Sequence, residues 1–318
     1  MYYHGKELKI FSGNSNKPLA DEVAEILGTK VGDTKVTKFS DGEISVNTEE
    51  TVRGYDTFVI QATNNPVNDN LMELLIMIDA YKRASVGRVT AVIPYYGYAR
   101  QDRKLKSRDP ISAKLVANLI TKSGADRVLT VDLHASQVQG YFNIPVDNLR
   151  GEPIIGKYFV DKGFKDRDDV VLVAPDAASV PRVRKLATRL DAPIAIIDRK
   201  KDKLTGEEIV TIIGEVKGKC ALLMDDIIDT GTRMARGSEI LIVKGAKEVY
   251  GACSHPVLSG DAVEKIKNSE IKEVVMLNTI NLPEEKRLEK FTILSIAPLM
   301  AEAVRRIYEN DPVSKLFE

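Results

Sequence analysis

The chain carries no net charge, because Lys plus Arg and Asp plus Glu each total 46 among its 318 residues. That balance excludes a global field able to hold the protein on nucleic acid or an anionic membrane, so any phosphate chemistry has to rest on local basic clusters. Cysteine is scarce. Cys220 and Cys253 form no CxxC pair, each lies in or beside an apolar strand-like run, and both read as buried thiols of a reducing compartment. No apolar stretch reaches the roughly 18 residues needed to cross a bilayer. The start MYYHGKELKIF lacks a charged segment followed by an apolar signal core. The expectation is a cytoplasmic protein with neither nucleic-acid nor membrane partners.

With 43% hydrophobic and 29% charged residues, the composition is that of a globular chain long enough for two ordinary domains. No short-period repeat or low-complexity tract interrupts it. Short β-branched runs alternate with longer helical patterns: Leu8 to Phe11, Thr57 to Gln61, Val89 to Ile93 and Val128 to Val131, then Val170 to Ala174, Ile194 to Ile197, Ala221 to Met224 and Val249 to Cys253. Such alternation predicts an α/β fold with mainly parallel sheets flanked by helices, here as two similar sheets. Leu71, Leu74, Leu75, Ile78 and Tyr81 fall at helical spacing within Asn68 to Ala84, with Asn68 as the expected cap. Turn formers after Ile144-Pro145-Val146 place the boundary between domains 1–148 and 149–318.

The stretch KCALLMDDIIDTGTR, Lys219 to Arg233, is the most informative. A strand over Ala221 to Met224 would deliver Asp225 and Asp226 to the carboxyl end of a parallel sheet, where ligands bind. A carboxylate there accepts from two neighbouring sugar hydroxyls, while N–H groups of the Asp229-Thr230-Gly231-Thr232 turn and the next helix hold a phosphate. The plainer reading, that the aspartates cap the following helix, stands beside it.

His134 closes one strand-like run and Asp176 closes another, so the two could hold a divalent metal whose shell phosphate oxygens complete. A structural histidine is the alternative. His255 precedes Pro256 in what reads as a loop. The run YYGYARQDRKLKSR sets tyrosines ahead of Arg100, Arg103, Lys104, Lys106 and Arg108, dense enough to meet a polyphosphate, though a solvated charged loop reads the same way. In Phe39-Ser40-Asp41-Gly42-Glu43 an exposed ring beside two carboxylates could stack on a purine and accept from its amine, or simply anchor a turn.

FSDGE, NDNLMELLIMIDAYKRAS, IPYYGYARQDRK, ISAKLVANLI, DLHASQVQGYFNIPVDNL, SHPVLSG and LMAEAVRRI occur in the order seen in ribose-phosphate pyrophosphokinases, so the chain resembles that family over nearly its whole length. The resemblance implies two tandem phosphoribosyltransferase-like domains. It implies an ATP-dependent diphosphotransferase that uses Mg²⁺ and makes 5-phosphoribosyl 1-diphosphate and AMP from ATP and ribose 5-phosphate, in hexamers of one chain. A weakened regulatory paralogue that binds nucleotide and co-assembles with an active synthetase is the first alternative. A true phosphoribosyltransferase is the second.

Carried over by position, the resemblance makes Phe39, Asp41, Gly42 and Glu43, with Arg100 and Gln101, the ATP site. His134 and Asp176 would serve the metal. Asp225 with Asp229, Thr230, Gly231, Thr232 and Arg233 would bind ribose 5-phosphate, and Arg199 and Lys201 would be catalytic, on a segment that is mobile in the family. The chain departs from the family pattern at this last set. A Lys and Arg pair is reversed in Arg199 and Lys201, and a guanidinium fork and a compact ammonium meet phosphate differently. Pro-Asp-x-Gly-Gly becomes Pro175-Asp176-Ala177-Ala178-Ser179, with strain expected if either glycine position has positive φ. Asp-Thr-x-Gly-Thr becomes Asp229-Thr230-Gly231-Thr232-Arg233, so that Arg233 either adds a contact to the 5-phosphate or displaces the sugar.

Overall fold

Valine, isoleucine and leucine fill the strand-like runs almost without interruption, and such runs form strands buried on both faces, as parallel sheets between helical layers require. The computed structural model describes residues 6–201 and 208–316, divided into two compact units. The first unit holds the chain up to Arg150 together with Thr279–Asn281 and the segment from Ser295 onward. Its elements are β1 (Lys6–Ser12), α1 (Lys17–Ile26), β2 (Thr34–Lys38), β3 (Ile44–Thr48), β4 (Tyr55–Ile60), α2 (Val67–Arg83), β5 (Arg88–Ile93), α3 (Ser112–Ser123), β6 (Arg127–Val131) and β7 (Val146–Leu149). β1-β4-β5-β6-β7 make a five-stranded sheet in which every pairing is parallel. β2 and β3 form a separate antiparallel hairpin.

The second unit holds Gly151–Asn278 and Leu282–Leu294. It contains α4 (Glu152–Asp161), β8 (Val170–Ala174), α5 (Val180–Leu190), β9 (Ile194–Lys201), β10 (Glu208–Ile213), β11 (Cys220–Ile228), α6 (Thr232–Val243), β12 (Glu248–Pro256), α7 (Ala262–Lys267), β13 (Ile271–Leu277) and β14 (Phe291–Leu294). Its seven-stranded sheet runs β10-β9-β8-β11-β12-β13-β14, parallel except for the β9–β10 edge pair. β8 and β11 lie side by side at its centre, with Asp176 just after β8 and Asp225 and Asp226 within β11.

The contacts divide the chain differently from an expected cut at 148/149. The changeover falls at Arg150 and Gly151, and α8 (Ala297–Glu309) rejoins the first unit. The physical reason is its buried face of Met300, Ala301, Val304 and Ile307, which α1 covers. Polar ties reinforce it: Arg88 Nη2 donates to the carbonyl of Ile307 at 2.9 Å, and the Ser295 hydroxyl meets Glu22.

Two local expectations change. α2 starts at Val67 after Pro66, with no side-chain cap, so Asn68 is not the cap. Its amide oxygen instead accepts from the Tyr98 hydroxyl. His255 lies buried inside β12 rather than in a loop. Both cysteines are buried and free, and burial raises the thiol of Cys220 to about 12 and that of Cys253 well above its ordinary value.

The second unit's core includes a ring cluster in which Phe159 lies 4.9 Å from Phe164 and 6.5 Å from Tyr250 between centroids. Because Phe159 is fully buried, Phe159→Ala should destabilise the unit by about 3–5 kcal/mol through lost contact and a residual cavity. The urea midpoint measures this, and a change below about 1 kcal/mol would mean that the rings repack.

Candidate functional site

β11 is longer than the sequence suggested. The strand continues to Ile228, so Asp225 and Asp226 lie within it and not beyond it. Successive strand residues ordinarily face opposite ways, yet one nitrogen of Arg182 reaches both carboxylates, 3.7 Å from Asp225 Oδ1 and 3.0 Å from Asp226 Oδ1. Both carboxylates are buried, at 5% and 2% exposure. Arg182 reaches both, and Arg233 reaches Asp225 as well.

Arg233, in the first turn of α6, places Nη1 3.0 Å from Asp176 Oδ2 and 3.1 Å from Asp225 Oδ2. Arg182, in the first turn of α5, places Nη1 3.0 Å from Asp226 Oδ1 and 3.7 Å from Asp225 Oδ1. Sequence reasoning missed Arg182. A cation in the first turn opposes the helix dipole, and that local misfit was the available signal that an anion stands opposite.

The other Asp225 oxygen, Oδ1, accepts from the Asp226 N–H at 2.9 Å. Burial, and next the adjacent Asp226 charge, push the Asp225 carboxyl from 3.8 up to about 7, outweighing the downward pull of Arg233 and Arg182. The sign follows. Between about pH 4 and about pH 7 the folded chain holds a proton that the unfolded chain has released, so this group's contribution to stability falls as pH rises through that window. Asp225→Asn should flatten this slope. Urea midpoints near pH 4.5 and near pH 7.5 for both proteins test it, and equal slopes would rule out Asp225 as the source.

Asp176 follows β8 and begins the short turn of Ala177–Ser179. Its Oδ1 accepts from the Ser179 N–H at 2.9 Å and the Ser179 hydroxyl at 2.8 Å. Ser179 has φ −80°, and Ala178 is not among the residues with positive φ. The strain considered for Ala178 and Ser179 is therefore absent, and Ser179 gives Asp176 a second donor that glycine could not.

The turn Asp229-Thr230-Gly231 leads into α6, whose N-terminus has no side-chain cap. Its first N–H groups are thus available to an anion. The turn is braced from behind: the Ser259 N–H donates to the Asp229 carbonyl at 2.9 Å, and Lys265 Nζ donates to Thr232 Oγ1 at 3.1 Å. Thr230 and Thr232 hydroxyls are 3.3 Å apart. Gly231 has φ +70°, and a β-carbon there would come 2.9 Å from the Ala262 carbonyl, so this position requires glycine on both counts.

Arg199 is half-buried in β9, in register with Val210 of β10. It sits in a paired strand, not in a segment without regular structure. Lys201 ends β9 opposite Glu208, and its side chain lies outside the described residues.

In the first unit, Phe39 to Glu43 form the tip of the β2–β3 hairpin. Phe39 is 58% exposed, Gly42 has φ +97°, and Asp41 Oδ1 accepts from the Glu43 N–H at 3.1 Å. Arg100 is exposed at the start of a loop whose Arg103, Lys104, Lys106 and Arg108 are all exposed. Gln101 Oε1 accepts from the Ser112 hydroxyl at 2.5 Å, which ties that loop to α3. His134 is exposed just after β6. The structure thus brings Asp176, Asp225 and Arg233 together within the second unit.

Among the described residues no three His, Cys, Asp or Glu side chains gather to hold a metal ion. A magnesium ion bound largely through substrate phosphates needs only one or two carboxylates. Asp176 suits that role, because a cation, the Arg233 guanidinium, already stands between it and Asp225.

A family profile described as the N-terminal domain of ribose phosphate pyrophosphokinase matches residues 8–124, and a phosphoribosyl synthetase-associated domain matches residues 202–318. A ribose-phosphate pyrophosphokinase of Clostridium tetani is 60% identical over 318 residues, all of this chain and 99% of that one. That of Clostridium perfringens is 61% identical over the full length of both, and that of Bacillus subtilis 55% over 99% of this chain and 98% of its own. Among solved structures, phosphoribosylpyrophosphate synthetase from Mycobacterium smegmatis superposes with a TM-score of 0.91 at 42% identity, over 96% of this chain and all of that one.

Proposed function

The chain belongs to the ribose-phosphate pyrophosphokinase family, and from that premise we propose that it transfers the β,γ-diphosphoryl group of ATP to the 1-hydroxyl of ribose 5-phosphate, giving 5-phosphoribosyl 1-diphosphate and AMP. One observation carries the reading beyond the family. A braced turn and an uncapped helix N-terminus follow the acidic strand β11, beside the Asp176 turn.

In the reaction, the 1-hydroxyl oxygen attacks the β-phosphorus, the bond from that phosphorus to the α,β-bridging oxygen breaks, AMP leaves with the electron pair, and the hydroxyl proton is released. Catalysis of this kind is mainly positioning and neutralisation of charge. Asp225 accepts from the ribose hydroxyls, and the N–H groups of Gly231, Thr232 and Arg233 hold the 5-phosphate. Arg199 and Lys201 meet the polyphosphate. Phe39 stacks on adenine while Asp41 and Glu43 accept from its amine, with the Gly42 backbone shaping the tip, and Arg100 and Gln101 complete the nucleotide's contacts. His134 and Asp176 would hold Mg²⁺, which when bound draws charge from the phosphates. We further propose a cytoplasmic assembly of several copies, a hexamer by family resemblance, acting on ATP and ribose 5-phosphate.

Purified protein incubated with ATP, ribose 5-phosphate, Mg²⁺ and inorganic phosphate should release AMP and 5-phosphoribosyl 1-diphosphate in equal amounts. Nucleotide binding without AMP would instead support a regulatory paralogue. Consumption of 5-phosphoribosyl 1-diphosphate with a free base would indicate a phosphoribosyltransferase, a reading that gives the match over residues 8–124 no role.

A further inference from the structure

We propose that Arg233 is a resident counter-cation that competes with the divalent metal for Asp176 and is drawn off by the sugar phosphate, so that ribose 5-phosphate and metal bind cooperatively. The inference rests on the reading above for the identities of sugar and metal, and on this chain's own geometry for the competition. One guanidinium nitrogen lies 3.0 Å from Asp176 and 3.1 Å from Asp225, and so ties the loop after β8 to β11. The Arg233 side chain is 52% exposed and Asp176 39% exposed, so neither is locked by surrounding packing.

The charge pattern says what happens when the arginine leaves. Three carboxylates, Asp176, Asp225 and Asp226, face two guanidinium groups, Arg182 and Arg233. Arg182 pairs with Asp225 and Asp226, so departure of Arg233 uncovers Asp176 Oδ2 while Asp225 keeps a cationic neighbour. A metal approaching Asp176 with Arg233 in place meets a like charge at contact distance, which weakens its binding.

Arg233 is also a residue of the first turn of α6, beside N–H groups suited to an anion. A phosphate dianion there offers the guanidinium a bidentate partner, stronger than the single nitrogen it now shares between two carboxylates. Moving from carboxylates to phosphate both grips the sugar and vacates Asp176. By linkage, each ligand then tightens the other by the same factor.

The test uses the full chain and Mn²⁺ as the paramagnetic probe, with free Mn²⁺ read by electron paramagnetic resonance, with and without ribose 5-phosphate and without ATP. Wild-type protein should bind Mn²⁺ weakly alone and roughly five- to tenfold more tightly with the sugar phosphate. Arg233→Thr, and Arg233→Gln as a second variant of the same exposed position, should bind Mn²⁺ roughly tenfold more tightly without sugar and gain little from it. Asp176→Asn should lose the response. Unchanged Mn²⁺ affinity in both Arg233 variants, or an undiminished sugar effect in them, would overturn the proposal. If calorimetry shows no ribose 5-phosphate binding to any of these proteins, the sugar-site reading fails separately, and the sugar-free pair still decides the competition.

Discussion

Arg199→Ala is expected to lower kcat by about 10³-fold while leaving the KM for ribose 5-phosphate nearly unchanged, as for a cation that meets transferring phosphate charge in the transition state. Position matters as much as charge. Arg199 is half-buried in β9 and paired there with Val210 of β10, beyond the stretch of β9 that pairs with β8. A guanidinium held on a strand starts from a defined place, which lowers the cost of ordering it when the polyphosphate arrives. Arg199→Lys should recover part of the loss, because charge returns without the planar fork. Steady-state kinetics measured in both substrates decides. A kcat within roughly threefold of wild type for the alanine variant would remove Arg199 from the chemistry.

Asp225→Asn should cost about 10²-fold in kcat/KM for ribose 5-phosphate, with ATP affinity preserved. The substitution keeps shape and hydrogen-bonding capacity but removes a charge-assisted acceptor for the sugar hydroxyls. It also leaves Arg233 with Asp176 as its remaining carboxylate partner and Arg182 with Asp226. Equilibrium binding of ATP separates a local sugar-site defect from general damage. If ATP binding falls as far as kcat/KM does, the loss is one of folding and the assigned role is wrong.

The alternation of apolar runs made the sheets legible because burial on both faces leaves a dense local pattern. Thus Val170 to Ala174 is β8 residue for residue. The end of β11 was not legible. Asp225 and Asp226 look like a loop by composition, yet the strand carries them because pairing of Asp225 with Cys253 and of Ile227 with His255 continues along β12. Arg199 and Lys201 follow the same rule, drawn into β9 by its antiparallel pairing with β10. Charge pairing was hidden for a related reason. The sequence shows that Arg233 stands seven residues after Asp226, but its bond to Asp176 depends on β8 and β11 being neighbours in the sheet. The two outcomes weighed for Arg233, gripping the phosphate or obstructing the sugar, left out the partners the structure gives it, the carboxylates of Asp176 and Asp225.

The return of α8 to the amino-terminal unit imposes an order on synthesis. A ribosome emits Lys6–Leu149, the strands of the first sheet, long before the helix that covers α1, so the earlier unit waits with part of its apolar surface uncovered until translation has passed Glu309. A nascent chain stalled after β14 would contain the strands of both sheets and still lack the element that completes the one made first.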